Sequence, residues 1–220
     1  MNDNIYKYSK DNTIAFLLLV VISTVVIFTP AFTIQYIGLD LAFSFVFITE
    51  ILISTSFYIF YLRRIPGCKI TIKTNAKTLK LLVISFAVIA LMQLLIFAYR
   101  DNLNNSESTS LNWIEIFILV LIVPYYEEIV YRTCLFGLLC ATYKKELFTP
   151  CVCTSLFFCL MHPQYYNVAD QIILFIMSML LLNIRICSKG IFYPMLLHAG
   201  INGFVILLNI LQYKTLTSHR

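Results

Sequence analysis

A strongly apolar stretch of the chain contains three charged side chains within six consecutive residues: Glu127, Glu128 and Arg132. An ionised side chain at the depth of a bilayer costs about 2.5–3.5 kcal/mol on insertion scales, so three unpaired charges would cost roughly 8–10 kcal/mol. Membrane segments carry such charges where these pair with one another or take part in chemistry. We therefore interpret this stretch as a site where water reacts inside the membrane.

Helical spacing gives the two glutamates different roles. Glu128 and Arg132 are four residues apart with the acid first, which is the favoured order for an ion pair on a helix. Glu127 points about 100° away from Glu128 on an α-helix and has no cation at helical spacing. The spacing predicts a structural Glu128–Arg132 pair and leaves Glu127 as a candidate general base.

Two histidines and an asparagine lie in later apolar segments. His198 and Asn202 are four residues apart and share one helix face, while His162 is followed by Pro163, which ends or bends a helix. Together with Glu127, these side chains could surround one water molecule or one metal ion. Neutral imidazole and carboxylate are ligands that Zn²⁺ accepts, and an asparagine amide can stabilise an oxyanion.

The composition predicts an all-α polytopic membrane protein. The 220 residues are 60% hydrophobic and 12% charged, with a mean hydropathy of +0.85, whereas soluble domains are about 25% charged. About 20 apolar residues cross a bilayer as a helix. The chain contains about seven such segments, at 13–33, 41–62, 79–99, 112–140, 147–162, 168–187 and 190–212.

The distribution of cations predicts the orientation of the chain. Twelve of the sixteen Lys and Arg residues fall before the first segment or in connections on the same side, and the positive-inside rule places that side in the cytoplasm. The N-terminus is therefore predicted to be cytoplasmic. A bias towards Ile, Phe, Tyr, Asn and Lys is typical of AT-rich genomes, and we expect an integral protein of a bacterial cell membrane.

The predicted organisation separates the chain by role within one bundle. Residues 1–111 form an N-terminal three-span region, 112–212 a catalytic four-span region, and 213–220 a tail. In the first region, Glu50 lies in the middle of a span without a partner at helical spacing. It is a functional candidate, and an interhelical or lumen-facing role is equally compatible with the pattern.

The fourth segment is too long to cross the bilayer as a straight, perpendicular helix. Residues 112–140 would extend about 43 Å at 1.5 Å per residue, against a hydrocarbon core of about 30 Å. Pro124 lacks an amide donor and would leave the carbonyl of Val120 free, which favours a kink before Glu127. At membrane depth, that carbonyl needs a protein or water partner.

The predicted boundaries also raise a geometric difficulty. They place His162 at the outer end of its segment and His198 about 12 Å in from the opposite side. A shared site therefore requires helices that tilt, shift or break.

Three motifs in order resemble those of the CPBP intramembrane proteases, which include type II CAAX prenyl endopeptidases and Abi proteins associated with bacteriocin self-immunity. The motifs are Glu127-Glu128-x₃-Arg132, Phe158-x₃-His162 and His198-x₃-Asn202. The resemblance covers about residues 120–205. Thr133 stands where the family commonly has glycine, which affects packing and leaves the catalytic positions intact.

The resemblance implies a catalytic set of Glu127, Glu128, Arg132, His162, His198 and Asn202. By that resemblance, Glu127 activates the attacking water with help from His162. His198 and Asn202 bind a metal or stabilise the oxyanion, and the ion pair supports the site. His162 and His198 are the candidate ligands of a Zn²⁺ ion, but the chain lacks an H-E-x-x-H motif and both mechanisms stay open.

The predicted function is an intramembrane endopeptidase that hydrolyses a peptide bond near the bilayer with a glutamate-activated water. Its partners would be a membrane-associated peptide or protein substrate and the lipid bilayer, with no nucleic acid. Bacteriocin self-immunity and the maturation of peptides or prenyl-proteins are the expected contexts. The alternative is a non-proteolytic immunity or regulatory protein on the same scaffold. A transporter is a third hypothesis, although no inverted repeat is evident.

Overall fold

The computed structural model describes residues 9–72, 75–102, 112–143, 146–165 and 167–218. These residues form helices joined by turns and short irregular connections, and no strand occurs among them. The predicted all-α class is therefore confirmed.

The described residues contain ten α-helices and two π-helical segments. The α-helices are α1 (Lys10–Phe28), α2 (Pro30–Ile37), α3 (Leu39–Phe60), α4 (Ala76–Asn102), α5 (Trp113–Phe117), α6 (Val123–Glu127), α7 (Phe136–Thr142), α8 (Phe148–Leu160), α9 (Val168–Ser188) and α10 (Phe192–Ser218). The π-helical segments are π1 (Ile118–Ile122) and π2 (Glu128–Leu135). Because α5, π1, α6, π2 and α7 follow without a gap, we call residues 113–142 the motif helix.

The helices reproduce the seven predicted segments in order. Within the described part of the chain, five stretches are long and apolar enough to cross a membrane: Lys10–Ile37, Leu39–Arg64, Ala76–Arg100, Val168–Ser188 and Phe192–Leu211. The fourth predicted segment is the motif helix. The fifth is α8, whose 13 residues extend only about 20 Å and do not cross a 30 Å hydrocarbon core unaided. Because these helices are long and apolar enough to cross a bilayer, the protein is an integral membrane protein.

The segment π2 occupies the centre of the bundle. All eight of its residues are buried, and α1, α3, α8 and α9 pack against it. On the outside, large apolar side chains such as Leu18 and Leu95 are more than half exposed. Charged side chains inside and apolar side chains outside are the arrangement suited to lipid. In a bilayer the hydrophobic effect does not drive helices together, so close packing and polar contacts hold them.

The motif helix carries a carbonyl, at Leu119, that accepts a hydrogen bond from a side chain of another helix. The N–H of Val123 bonds to the carbonyl five residues earlier. In that π register, the next donor would be Pro124, which has no N–H, and its acceptor would be Leu119. The side-chain amide of Asn202 donates to the Leu119 carbonyl instead, at 2.9 Å. The expectation of a free Val120 carbonyl assumed an α-helical register and stays a prediction.

The start of α10 is fixed by the connection between α3 and α4. The Tyr193 hydroxyl donates to the carbonyl of Ile72 at 2.6 Å, and the buried guanidinium of Arg185 donates to the carbonyl of Gly67. The bond from Tyr193 holds the first turn of α10, and the bond from Arg185 holds the last turn of α9. His198 follows Tyr193 little more than one turn later on α10.

Candidate active site

Glu127 lies between the two histidines at the end of α6. Its side chain is 7% exposed, with Oε1 3.4 Å from Nε2 of His162 and Oε2 3.6 Å from Nε2 of His198. The histidines come from different parts of the bundle and meet at one carboxylate. The two histidines therefore share one site, although the predicted boundaries had placed them far apart.

His162 presents a defined nitrogen to Glu127. It lies two residues beyond α8, and its Nδ1 is 2.7 Å from the carbonyl oxygen of Phe158. A carbonyl only accepts hydrogen bonds, so Nδ1 carries the proton. In the neutral imidazole, Nε2 then holds the lone pair, and this nitrogen faces Glu127.

His198 is oriented in the same way by Glu128. Its Nδ1 lies 2.9 Å from Oε1 of Glu128, a fully buried carboxylate that accepts this hydrogen bond. The Nε of Arg132 lies 3.4 Å from the same oxygen, which confirms the predicted Glu128–Arg132 ion pair. The guanidinium is also buried, 4.0 Å from the centre of the Phe158 ring. The pair therefore fixes the orientation of a histidine that faces Glu127.

The arrangement calls for a hydrogen-bond donor or a cation between these groups. Two imidazole lone pairs and the Glu127 carboxylate face one another at 3.4–3.6 Å, and hydrogen-bond acceptors gain nothing from direct contact with one another. Oε2 of Glu127 is buried without a hydrogen-bond partner among the described residues. A water molecule could donate its O–H groups to these acceptors, which is the position from which Glu127 could take a proton.

The ligand types, but not their arrangement, fit a zinc site. Both histidines use Nδ1 for a second hydrogen bond, as zinc-bound histidines do. However, no group of three or more His, Cys, Asp or Glu among the described residues is arranged so that it could hold a metal ion. Coordination by His162 and His198 remains a prediction, and the chemistry below is derived from the protein's own groups.

Asn202 is connected to the site by a hydrogen bond to the backbone of the motif helix. It lies one turn beyond His198 on α10, and one of its N–H groups is committed to Leu119, beside the π-helical register. An asparagine amide has two N–H groups, so the second remains for the oxyanion role that the resemblance implies.

We expect Asn202→Leu to lower the free energy of unfolding by about 1–3 kcal/mol, because the partly buried Leu119 carbonyl would lose its donor. Unfolding of the purified protein in detergent would measure this loss. The control is Asn183→Leu, which changes the same residue type on the neighbouring helix α9. Equal stability of Asn202→Leu and the natural protein would contradict a role in holding the motif helix.

Gln171 is a site residue that the sequence did not reveal. From the first turn of α9, its Nε2 donates to the carbonyl of His162 at 3.3 Å and to that of Tyr165 at 2.5 Å. The thiol of Cys159 donates to the Gln171 carbonyl at 3.7 Å. Gln171 therefore ties the irregular chain around His162 to α9. A single polar residue near a span end carries no motif, and only the fold shows its partners.

We expect Gln171→Leu to slow cleavage about 10–100-fold, because His162 would lose the bonds that fix its backbone and small displacements of catalytic groups have effects of this size. Gln93→Leu, the same change at a half-buried position of α4, is the matched control. Rates on a cleavable peptide would be compared at saturating substrate. Unchanged turnover in Gln171→Leu would show that His162 is positioned without it.

Glu50 also lies close to this site. It is fully buried on α3, and its Oε1 accepts a hydrogen bond from the hydroxyl of Ser23 on α1 at 2.8 Å. Of the alternatives left open by the sequence, the structure shows the interhelical contact.

The comparisons with known proteins agree with the motif resemblance. Residues 109–204 match the sequence model of the family described as Type II CAAX prenyl endopeptidase Rce1-like, and all three motifs lie inside this range. No curated protein and no solved structure matches the chain. Over residues 109–204, the chain is therefore similar to the Rce1-like family of type II CAAX prenyl endopeptidases, and this match is consistent with a CPBP family protease.

Proposed function

We propose that this protein is an intramembrane endopeptidase that hydrolyses a peptide bond near the bilayer with a water molecule activated by Glu127. The family match supports an endopeptidase of the CAAX type. The observation that carries the mechanism is the position of Glu127, buried between two histidine nitrogens.

The protein's own groups and one water molecule can supply each proton transfer of the hydrolysis. Glu127 takes a proton from the water as its oxygen attacks the scissile carbonyl, and negative charge develops on the carbonyl oxygen. The Nε2 lone pairs of His162 and His198 would orient the water by accepting its hydrogen bonds, and the second N–H of Asn202 would stabilise that charge. When the tetrahedral intermediate collapses, the C–N bond breaks and protonated Glu127 returns its proton to the leaving amine.

The substrate would reach the site from the membrane. A cavity of about 440 Å³ is lined by Leu156, Cys159, Leu160, Pro163 and Gln171, and Pro163 follows His162 in the chain. Leu156 and Leu160 are 51% and 71% exposed, so the cavity opens towards the lipid. It suits an apolar peptide segment or a prenyl chain held next to the scissile bond.

The proposed setting is a bacterial cell membrane with a cytoplasmic N-terminus. Its support is the distribution of cations along the sequence and the bias of the composition. Peptide or prenyl-protein maturation and bacteriocin self-immunity are the proposed biological roles.

The test presents lipid-embedded candidate peptides, including farnesylated peptides, to the natural protein and to Glu127→Ala, and identifies products by mass spectrometry. We expect products only with the natural protein. A parallel series with a chelator tests the zinc prediction. If Glu127→Ala protects cells from a bacteriocin as well as the natural protein does, the non-proteolytic alternative is favoured.

A further inference from the structure

Glu50 is a buried acid outside the region that matches the family. It lies on α3, in the N-terminal part of the chain, and is 0% exposed. Only its Oε1 has a hydrogen-bond partner among the described residues, the hydroxyl of Ser23. The mechanism above makes no use of it.

The surroundings of Glu50 favour a neutral carboxyl. Another buried acid, Glu128, has the guanidinium of Arg132 and the Nδ1–H of His198 as partners. Glu50 has one neutral hydroxyl in the described part of the chain. A buried carboxylate with so little compensation is costly, and such groups take up a proton instead.

The neutral carboxyl of Glu50 and the carboxylate of Glu127 complement each other. Helix α3 packs against α6, which carries Glu127, and the two acids lie within electrostatic range of each other. Oε2 of Glu50 and Oε2 of Glu127 are both buried without a hydrogen-bond partner among the described residues. A protonated Glu50 has an O–H to donate, and Glu127 can only accept.

We propose that Glu50 is a positioning residue of the active site, whose protonated carboxyl is held by Ser23 and donates a hydrogen bond to Glu127 directly or across one water molecule. This bond would keep the Glu127 carboxylate turned towards the two histidines. The inference rests on the proposed function and gives the N-terminal helices a part in it. It predicts that position 50 requires a side chain of this shape with a hydrogen-bond donor. A negative charge at position 50 is not required.

The experiment compares Glu50→Gln with Glu50→Ala in proteoliposomes, using a farnesylated CAAX reporter peptide. Glutamine keeps an acceptor for Ser23 and a donor for Glu127, so we expect kcat within about twofold of the natural protein. Alanine removes both groups, and we expect kcat to fall about 10–100-fold with KM unchanged, as for a displaced catalytic group. Ser54→Ala removes another fully buried polar group from α3 and should leave kcat unchanged.

Two other outcomes would contradict the positioning role of Glu50. If Glu50→Gln is as slow as Glu50→Ala, the charge or the titratable proton of Glu50 is required and the positioning role is wrong. If both variants have natural kcat, Glu50 does not act on Glu127. Glu127→Ala, assayed alongside, separates these results from failure of the proposed function, because retained cleavage there removes Glu127 from the chemistry.

Infrared spectroscopy tests the same inference without a substrate. The natural protein at neutral pH should show a carboxylic-acid C=O band that is absent from Glu50→Gln and retained in Ser54→Ala. The same band in the natural protein and in Glu50→Gln would show that Glu50 is ionised, which overturns the proposal.

Discussion

Glu127→Gln should lower the rate of peptide hydrolysis by about 10²–10⁴-fold, the range expected when a general base is lost. Glutamine has nearly the same shape and could keep contacts with His162 and His198, but its amide does not take a proton from water. KM should change little, because the substitution removes no surface on which an apolar substrate would bind. Initial rates over a range of substrate concentrations would measure both constants.

The matched control is Glu115→Gln, the same chemical change at an exposed position of the same motif helix. Glu115 closes a capping box with Asn112, and glutamine serves that role as well. Natural activity is therefore expected in this control. Cleavage by Glu127→Gln at the rate of Glu115→Gln would remove Glu127 from the mechanism, while an equal loss in both would point to damage of the motif helix.

The sequence predicted the helices well because lipid imposes a simple rule on them. Each span needs about 20 apolar residues, and all seven predicted segments correspond to helical segments of the structure. Helical spacing also identified the Glu128–Arg132 pair, since a separation of four residues keeps two side chains adjacent on one face.

The details of the site depended on contacts between segments that spacing does not encode. Local propensity does not distinguish an α-helix from a π-helix, so the hydrogen bond from Asn202 to the Leu119 carbonyl was not predicted. Gln171 acts through backbone carbonyls, which have no sequence signature. Ser23 and Glu50 come from different helices, so their pairing required the fold.

Arg132→Met should lower the free energy of unfolding by about 3–5 kcal/mol, the usual effect of removing one member of a buried ion pair. Both side chains of the Glu128–Arg132 pair are 0% exposed, so the remaining carboxylate would stay buried with only His198 as a partner. Chemical unfolding in a mild detergent would measure the change. Arg100→Met, which breaks a pair with Asp170 whose arginine is 40% exposed, should cost less than about 1 kcal/mol.

A double substitution separates the stability of this pair from its role in the site. Glu128→Leu combined with Arg132→Met should recover most of the lost stability, since an apolar pair of similar volume often replaces a buried ion pair without loss. Cleavage should remain slow, because Nδ1 of His198 would have lost the acceptor that fixes its proton and directs Nε2 towards Glu127. Recovery of both stability and cleavage would show that Glu128 only balances the buried arginine. Stability without cleavage would show that this carboxylate is retained in the membrane because it orients His198.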